Sequence, residues 1–493
     1  MELHHSLQPP LAQTEDLCSS QEVDLNVNYN EQFRNERVER TFSLRRNHLF
    51  DTVSKKSDSW PGNLEKSISS EQIISILNDP SHSKIKMLNT LPSIERSIVS
   101  IIAKDSKVWE SFINIFEKLN DYNQTEDIVL IIHSISFLFP FADEDNQEMI
   151  VNSIVIYFLD LLENPKYMAS ILLLINVFSK SSTYARDSII CYGLHTFILN
   201  KIISSNSAST ESEEIQMACY TVSEIYSNPG EVDDEIIFDS IDPFFSLLSS
   251  NNQIKIKTAF HCLTNLINRK SCVADILFDK KVCNLVLNFF DHPDLVTCSL
   301  QFISSLVHNI AKIDPSLVLN DLLPRLFNLI SDIQYISYVF RIFSNIIEKV
   351  SRSILPLLTD DFIRSAISLS TTAKATVKIE ASYFLATCIM YFEPNRLKSF
   401  LQKDSNSCID LLPEMIASGI REVILKCVLA LTRVILVFSE EQYVYNIISA
   451  LEENGVIKDL TNLLEEENDN LLNHSIINLM NKINSLCNES NAS

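Results

Sequence analysis

Seven short stretches decide how this chain reads: IHSISFLF (132–139), LLLINVF (172–178), CYTVSEIY (219–226), FHCLTNLI (260–267), LQFISSLV (300–307), VFRIFSNII (339–347) and SYFLATCI (382–389). Nearly all carry a Ser, Thr or Asn near the middle of a strongly apolar run. Aligned on one position they begin at His133, Leu172, Tyr220, His261, Gln301, Arg341 and Tyr383, with an average spacing of about 42 residues. Between them apolar residues recur at i, i+3, i+4 and i+7, the period of amphipathic helices, from Ser69 to about Cys487. The connections are short and polar: NDPSHS, NDYNQTED, SNPGEVDDE, DHPDL, LEEENDN. Strand-like alternation is scarce.

Composition supports an all-helical reading. Only 5 of the 493 residues are Gly and 15 are Pro, against 46% apolar residues. A β-rich or α/β protein of this length needs more glycine for its turns and phosphate loops, which excludes Rossmann, P-loop and barrel enzymes. A repeat of roughly 40–47 residues is that of armadillo and HEAT units, which cannot bury their apolar faces alone and therefore stack on their neighbours. The expected fold is an all-α armadillo-repeat α-solenoid over residues 69–487, a right-handed superhelix of about ten repeats with a concave inner face.

The formal charge of −23 argues against binding a nucleic-acid backbone and for a basic partner. Eleven cysteines show no CxxC pair and no metal-ligand spacing, so they read as reduced core thiols of the cytosol or nucleus. No HExxH, GxSxG, P-loop or paired-carboxylate motif occurs, so no catalysis, metal or cofactor is expected. Residues 1–30 lack a leader-like apolar stretch. The longest apolar run, Ile128 to Ala142, is interrupted by His133, Ser134, Ser136 and Pro140 and reads as a buried helix, so membrane insertion is not expected.

The N-terminal part divides into three. Residues 1–30 hold five acids and no Lys or Arg, without periodicity, and read as a disordered polar arm. In 31–56 the sign reverses: from Arg34 to Lys56, Arg34, Arg37, Arg40, Arg45, Arg46, Lys55 and Lys56 face three acids, interleaved with Phe42, Leu44, Leu49, Phe50 and Val53. Residues 57–68 contain Pro-Gly and read as a linker. At the other end, 488–493 read as a disordered tail.

Three stretches carry a resemblance. ALEENGVIKDLTNLLEEENDNLLNHSIINLMNKI (450–483) closely resembles the last armadillo repeat of the importin-α family. VKIEASYFLATCIMYFE (377–393) and GIREVILKCVLALTRVIL (419–436) resemble the two repeats before it, and FSLRRNHLFDTVSKKS (42–57) resembles the family's importin-β-binding segment in spacing. The resemblance implies a nuclear import adaptor shuttling between cytoplasm and nucleus. Its groove would hold the basic localisation signals of cargo, Arg34, Arg37, Arg40, Leu44, Arg45, Arg46, Lys55 and Lys56 would recruit importin-β, and an export receptor would recycle it. It also places the aligned stretches on the third helices of successive repeats. There the family sets a Trp and, one turn on, an Asn: the indole holds the aliphatic stem of a cargo Lys or Arg, the amide grips the peptide backbone, and acids pair with the charged heads.

On this register the implied groove residues are Asn176, Tyr220, Glu224, Asn265, Asn345, Glu380 and Tyr383. The chain departs from the pattern in two ways. No Trp stands at the indole position; the two tryptophans are Trp60 and Trp109. Lys180 stands where the family has the acid for its principal lysine. The alternative expectation is therefore an armadillo-repeat protein-interaction scaffold that has lost classical signal binding.

Overall fold

The structure, a computed structural model, describes residues 68–118, 125–205, 213–227, 233–330, 332–372, 375–403, 412, 415–416, 420–466 and 470–492. The expected arm (1–30), the basic segment with Arg34 to Lys56, and the linker up to residue 67 lie outside the described residues. Among the described residues there is no strand, and no helix is long and apolar enough to cross a membrane. The chain is an all-α repeat protein.

Where periodicity predicts one continuous run, the described residues cluster into two compact units, one within Asn63–Lys312 and one within Ile313–Ser493. Long helices form the spine of each. In the first unit these are α1 (Thr125–Leu138), α2 (Pro165–Ser181), α3 (Glu213–Ser227), α4 (Gln253–Arg269) and α5 (Val296–Asn309), and each packs on the next. In the second they are α6 (Ile336–Ile354), α7 (Ala375–Tyr391), α8 (Arg421–Phe438) and α9 (Asn470–Ala492), again in sequential contact. The seven aligned stretches fall on α1 through α7, so the 42-residue spacing does report one long helix per repeat. The last helix runs on through Ala492, past the boundary read at 487.

Local chemistry sets where these helices start. Pro165 opens α2 in the first turn, where its missing N–H costs nothing, and Asn164 caps it by accepting from the Lys166 N–H. Asn252 caps α4 by accepting from the Ile254 and Lys255 N–H groups. Aromatic side chains pin successive long helices: Phe139, just past α1, meets Phe178 of α2 with ring centroids 4.1 Å apart. Phe260 of α4 meets Phe302 of α5 at 5.5 Å, and Phe340 of α6 stacks on Phe384 of α7 at 5.1 Å. Each such ring, fully buried, contributes roughly 1.5–3 kcal/mol of transfer free energy.

Shorter helices fill the spaces, in two patterns. Three triplets share one kind of turn: Thr183–Cys191 and Leu194–Ser204 before α3, Cys272–Asp279 and Val282–Val286 before α5, and Tyr443–Glu453 and Val456–Glu466 before α9. In each, the turn between the first two helices passes through a left-handed residue: Gly193 (φ 71°), Lys281 (φ 57°) and Gly455 (φ 75°). Two helices also precede α1 (Arg96–Ala103 and Ser106–Glu117) and α2 (Glu144–Ile154 and Phe158–Glu163), whereas a single helix, Asp234–Leu247, stands before α4 and another, Asp360–Thr372, before α7.

Lys281 is the one non-glycine residue at positive φ among the described residues. A side chain there costs about 1–2 kcal/mol, while glycine's extra freedom in the unfolded chain costs about 0.4–1 kcal/mol. Lys281→Gly should therefore raise stability by about 0.5–1 kcal/mol. Gly193→Ala should lower it by about 1 kcal/mol through φ alone, because nothing lies within 4 Å of the added Cβ. Urea midpoints of the two variants check both signs. Buried His195 gives a third expectation, since burial lowers the pKa of its imidazole. The neutral ring belongs to the folded state, so its contribution is complete above about pH 6.5 and is lost as pH falls through that value toward the depressed folded pKa. His195→Leu should flatten the loss of stability measured by urea titration between about pH 7 and about pH 5.

Candidate functional site

The expected groove residues separate cleanly between the two units. In the first, four stay reachable. Asn176 lies half-buried on α2, and its Nδ2 donates to the Tyr220 carbonyl of α3 at 3.5 Å. Tyr220 is 39% exposed, and its hydroxyl accepts from Gln216 Nε2 at 3.2 Å. Glu224, one turn further along α3, is half-buried. Asn265 of α4, also half-buried, donates from Nδ2 to Ser227 Oγ at 3.3 Å, and Ser227 is in turn hydrogen-bonded to His261 Nε2 at 2.5 Å. An amide, a phenol, a carboxylate and a second amide thus stand on three helices that pack in sequence. Lys180, in the last turn of α2, is exposed.

In the second unit the expectation needs correction. Asn345 and Tyr383 are each 2% exposed and Glu380 is 7% exposed, so none of the three presents an open face to a peptide. Asn345 lies one turn from Arg341 and one turn from Glu348 on α6, within a stretch in which every residue from Ile342 to Ile347 is buried, and the ion pairs of Arg341 and Glu348 with α7 and α8 cover that face.

The same side chains cover Tyr383 and Glu380. Arg341 of α6 lies over the Tyr383 ring with its guanidinium carbon 4.5 Å from the centroid. The same guanidinium pairs with Glu380 of α7 (Nε to Oε2, 2.8 Å) and with Glu422 of α8 (Nη1 to Oε1, 2.7 Å). Lys426 of α8 places Nζ 5.6 Å from the same ring and 2.8 Å from Glu348 Oε1 of α6. The Tyr383 hydroxyl also donates toward Glu348, at 3.4 Å. Two cations and three carboxylates surround one phenol, and none of the five charged side chains is more than 20% exposed.

The protonation states are held firmly. Burial opposes the charge on Arg341, yet Glu380 and Glu422 together outweigh it and hold its pKa well above the ordinary value. Burial likewise opposes the Lys426 ammonium, and Glu348 overcomes it, so its pKa is raised. Burial, then Glu348 and Glu422, push the Tyr383 phenol well above its usual range. The two cations therefore keep their charge, and the phenol stays neutral, at any physiological pH.

No family model and no curated protein matches this chain. The crystal structure of an engineered protein does resemble it in fold: 16% identity, a TM-score of 0.56, covering 85% of this chain and 99% of the other. At that identity the likeness concerns the fold alone.

Sequence reasoning found Glu380 and Tyr383 but missed Glu348, Glu422 and Lys426, and took Arg341 only as a substitute for Trp. The signal was present. Arg341 and Glu348 are two turns apart, Glu380 and Tyr383 are three residues apart, and Glu422 and Lys426 are four apart, so each pair shares one helix face. What the sequence does not show is that the three faces converge. Removing one partner of a paired, largely buried network strands the others, at up to about 3–5 kcal/mol for full burial and less at these exposures. Arg341→Ala should therefore lower stability by about 2–3 kcal/mol, and Glu380→Gln, which keeps the shape and leaves Glu422 on Arg341, by about 1 kcal/mol. Chemical denaturation of the two variants checks that order.

Proposed function

We propose that this chain is an armadillo-type transport adaptor. It holds extended basic segments of cargo, of the kind that direct proteins to the nucleus, against the Asn176, Tyr220, Glu224 and Asn265 face, and it recruits importin-β through residues 34–56. The observation that carries the reading is the reachable quartet on α2, α3 and α4: amides for a peptide backbone, a half-exposed ring for an aliphatic stem, a carboxylate for a cationic head. Supporting it are the triplet repeats, the −23 charge and the sign reversal in the basic segment. On this reading the protein shuttles between cytoplasm and nucleus and meets an export receptor on its C-terminal repeats.

A second reading has its own observation. The Arg341–Glu380–Glu422 network fills what would be the equivalent surface of the other unit, and Lys180 adds a positive charge beside the quartet. A protein-interaction scaffold without classical signal binding would look the same there.

Titration of a fluorescent peptide with two Lys-Arg clusters into the full chain separates them. The adaptor should bind it, and binding should weaken between about 0.1 M and about 1 M salt, as the Debye length falls from about 10 Å to about 3 Å. Glu224→Lys should weaken binding about tenfold or more through like-charge repulsion, while the charge reversal Lys180→Glu should strengthen it. In parallel, importin-β should retain the full chain on a column and release it when Arg45, Arg46, Lys55 and Lys56 are all changed to Glu. A chain that neither binds the peptide nor is retained is a scaffold.

A further inference from the structure

We propose that the unit within Ile313–Ser493 carries its own cationic ligand. Arg341 and Lys426 occupy, around the Tyr383 ring, the places in which the Lys and Arg side chains of an extended basic peptide would be held, so exogenous basic segments are excluded there. That recognition is left to the α2–α3–α4 face rests on the function proposed above; the occupancy of the Tyr383 slot does not.

The chemistry is that of a cation-binding box with its occupants supplied in cis. A guanidinium or ammonium is recognised by an aromatic face for its π-cloud and by carboxylates placed to receive its N–H groups. Both elements are present and both are used. The ring carries the Arg341 guanidinium at 4.5 Å and the Lys426 ammonium at 5.6 Å. Glu380, Glu422 and Glu348 reach those two cations at 2.8, 2.7 and 2.8 Å. Three carboxylates and two cations thus converge on one ring. Its parts come from α6, α7 and α8, three helices in sequential contact, which is how a peptide-binding surface on stacked repeats is assembled. A tethered cation competes with a free one at high effective concentration. Displacing Arg341 would also uncover carboxylates that are otherwise largely buried.

The box can be emptied and refilled. In the full chain, Arg341→Ala removes the guanidinium and leaves the ring and carboxylates. Added N-ethylguanidinium should restore part of the lost melting temperature of this variant, tetramethylammonium at the same concentration should not, and the unaltered protein should respond to neither. If Arg341→Ala does not fold, Lys426→Ala with n-propylammonium poses the same question at the rim. Equal responses to the specific and control cations would overturn the proposal. Peptide stoichiometry by calorimetry gives an independent arm, using the Lys-Arg peptide as probe. The double variant R341A/K426A should bind one more peptide per chain than the unaltered protein, and adding E380Q should abolish the gain. A folded double variant with no gain overturns the proposal while leaving the adaptor reading intact. An unaltered protein that binds none beside a double variant that binds one sustains the proposal and removes the adaptor reading. Should E380Q alone weaken the unaltered protein's peptide binding about tenfold, the slot is open to ligand and the proposal fails.

Discussion

The long helices of this chain are too apolar to stand alone. α6 buries consecutive residues from Ile342 to Ile347, and α8 buries Val423 through Val428 without a break. Such helices satisfy the hydrophobic effect only by lying between neighbours, and in a repeat protein the available neighbours are the preceding and following repeats. That requirement explains the sequential contact of α1 through α5 and of α6 through α9, and the aromatic pairs that mark it. Among the described residues, left-handed backbone is confined to three turns between short helices, and one of them manages with Lys281.

Packing this close leaves little room for polar groups, and the chain spends them on joining helices. His133 of α1 bonds Ser170 of α2 at 3.2 Å, and Asn176 of α2 donates to the Tyr220 carbonyl of α3. Thr221 of α3 donates back to the Leu172 carbonyl of α2 at 3.0 Å. His261 and Asn265 of α4 both reach Ser227 of α3. Arg341, Glu380, Glu422, Lys426 and Glu348 do the same among α6, α7 and α8 with full charges. Each pair costs desolvation, so the net gain in stability is modest, while a shifted helix would strand a buried charge. The polar positions that line up along the repeats thus serve first as links between helices. Where a ring and a carboxylate remain reachable, as at Tyr220 and Glu224, the same positions can face a ligand.

The difference between the two units follows from charge type. At the aligned position α3 carries Tyr220, a side chain that projects and stays 39% exposed. α6 carries Arg341 there, long enough to fold back over Tyr383 and reach carboxylates on two helices. Tyr220 leaves a surface available at that place, whereas Arg341 closes it with the chain's own acids and covers Tyr383, the ring at the next aligned position, as well.

Periodicity, composition and the paucity of glycine were enough to establish from the amino-acid sequence an all-α repeat, the seven long helices and their spacing, because the 3.6-residue rhythm and the repeat length are local properties that each segment expresses alone. Which polar residues remain reachable was not legible. Asn176, Asn265 and Asn345 occupy equivalent places in the alignment, yet the first two are half-buried and the third is sealed. Glu380 reads as a groove acid until Arg341, thirty-nine residues earlier, is found bound to it. Exposure and ion pairing depend on what neighbouring helices bring to the same point in space, and that distance is set by packing between repeats, which no single segment encodes.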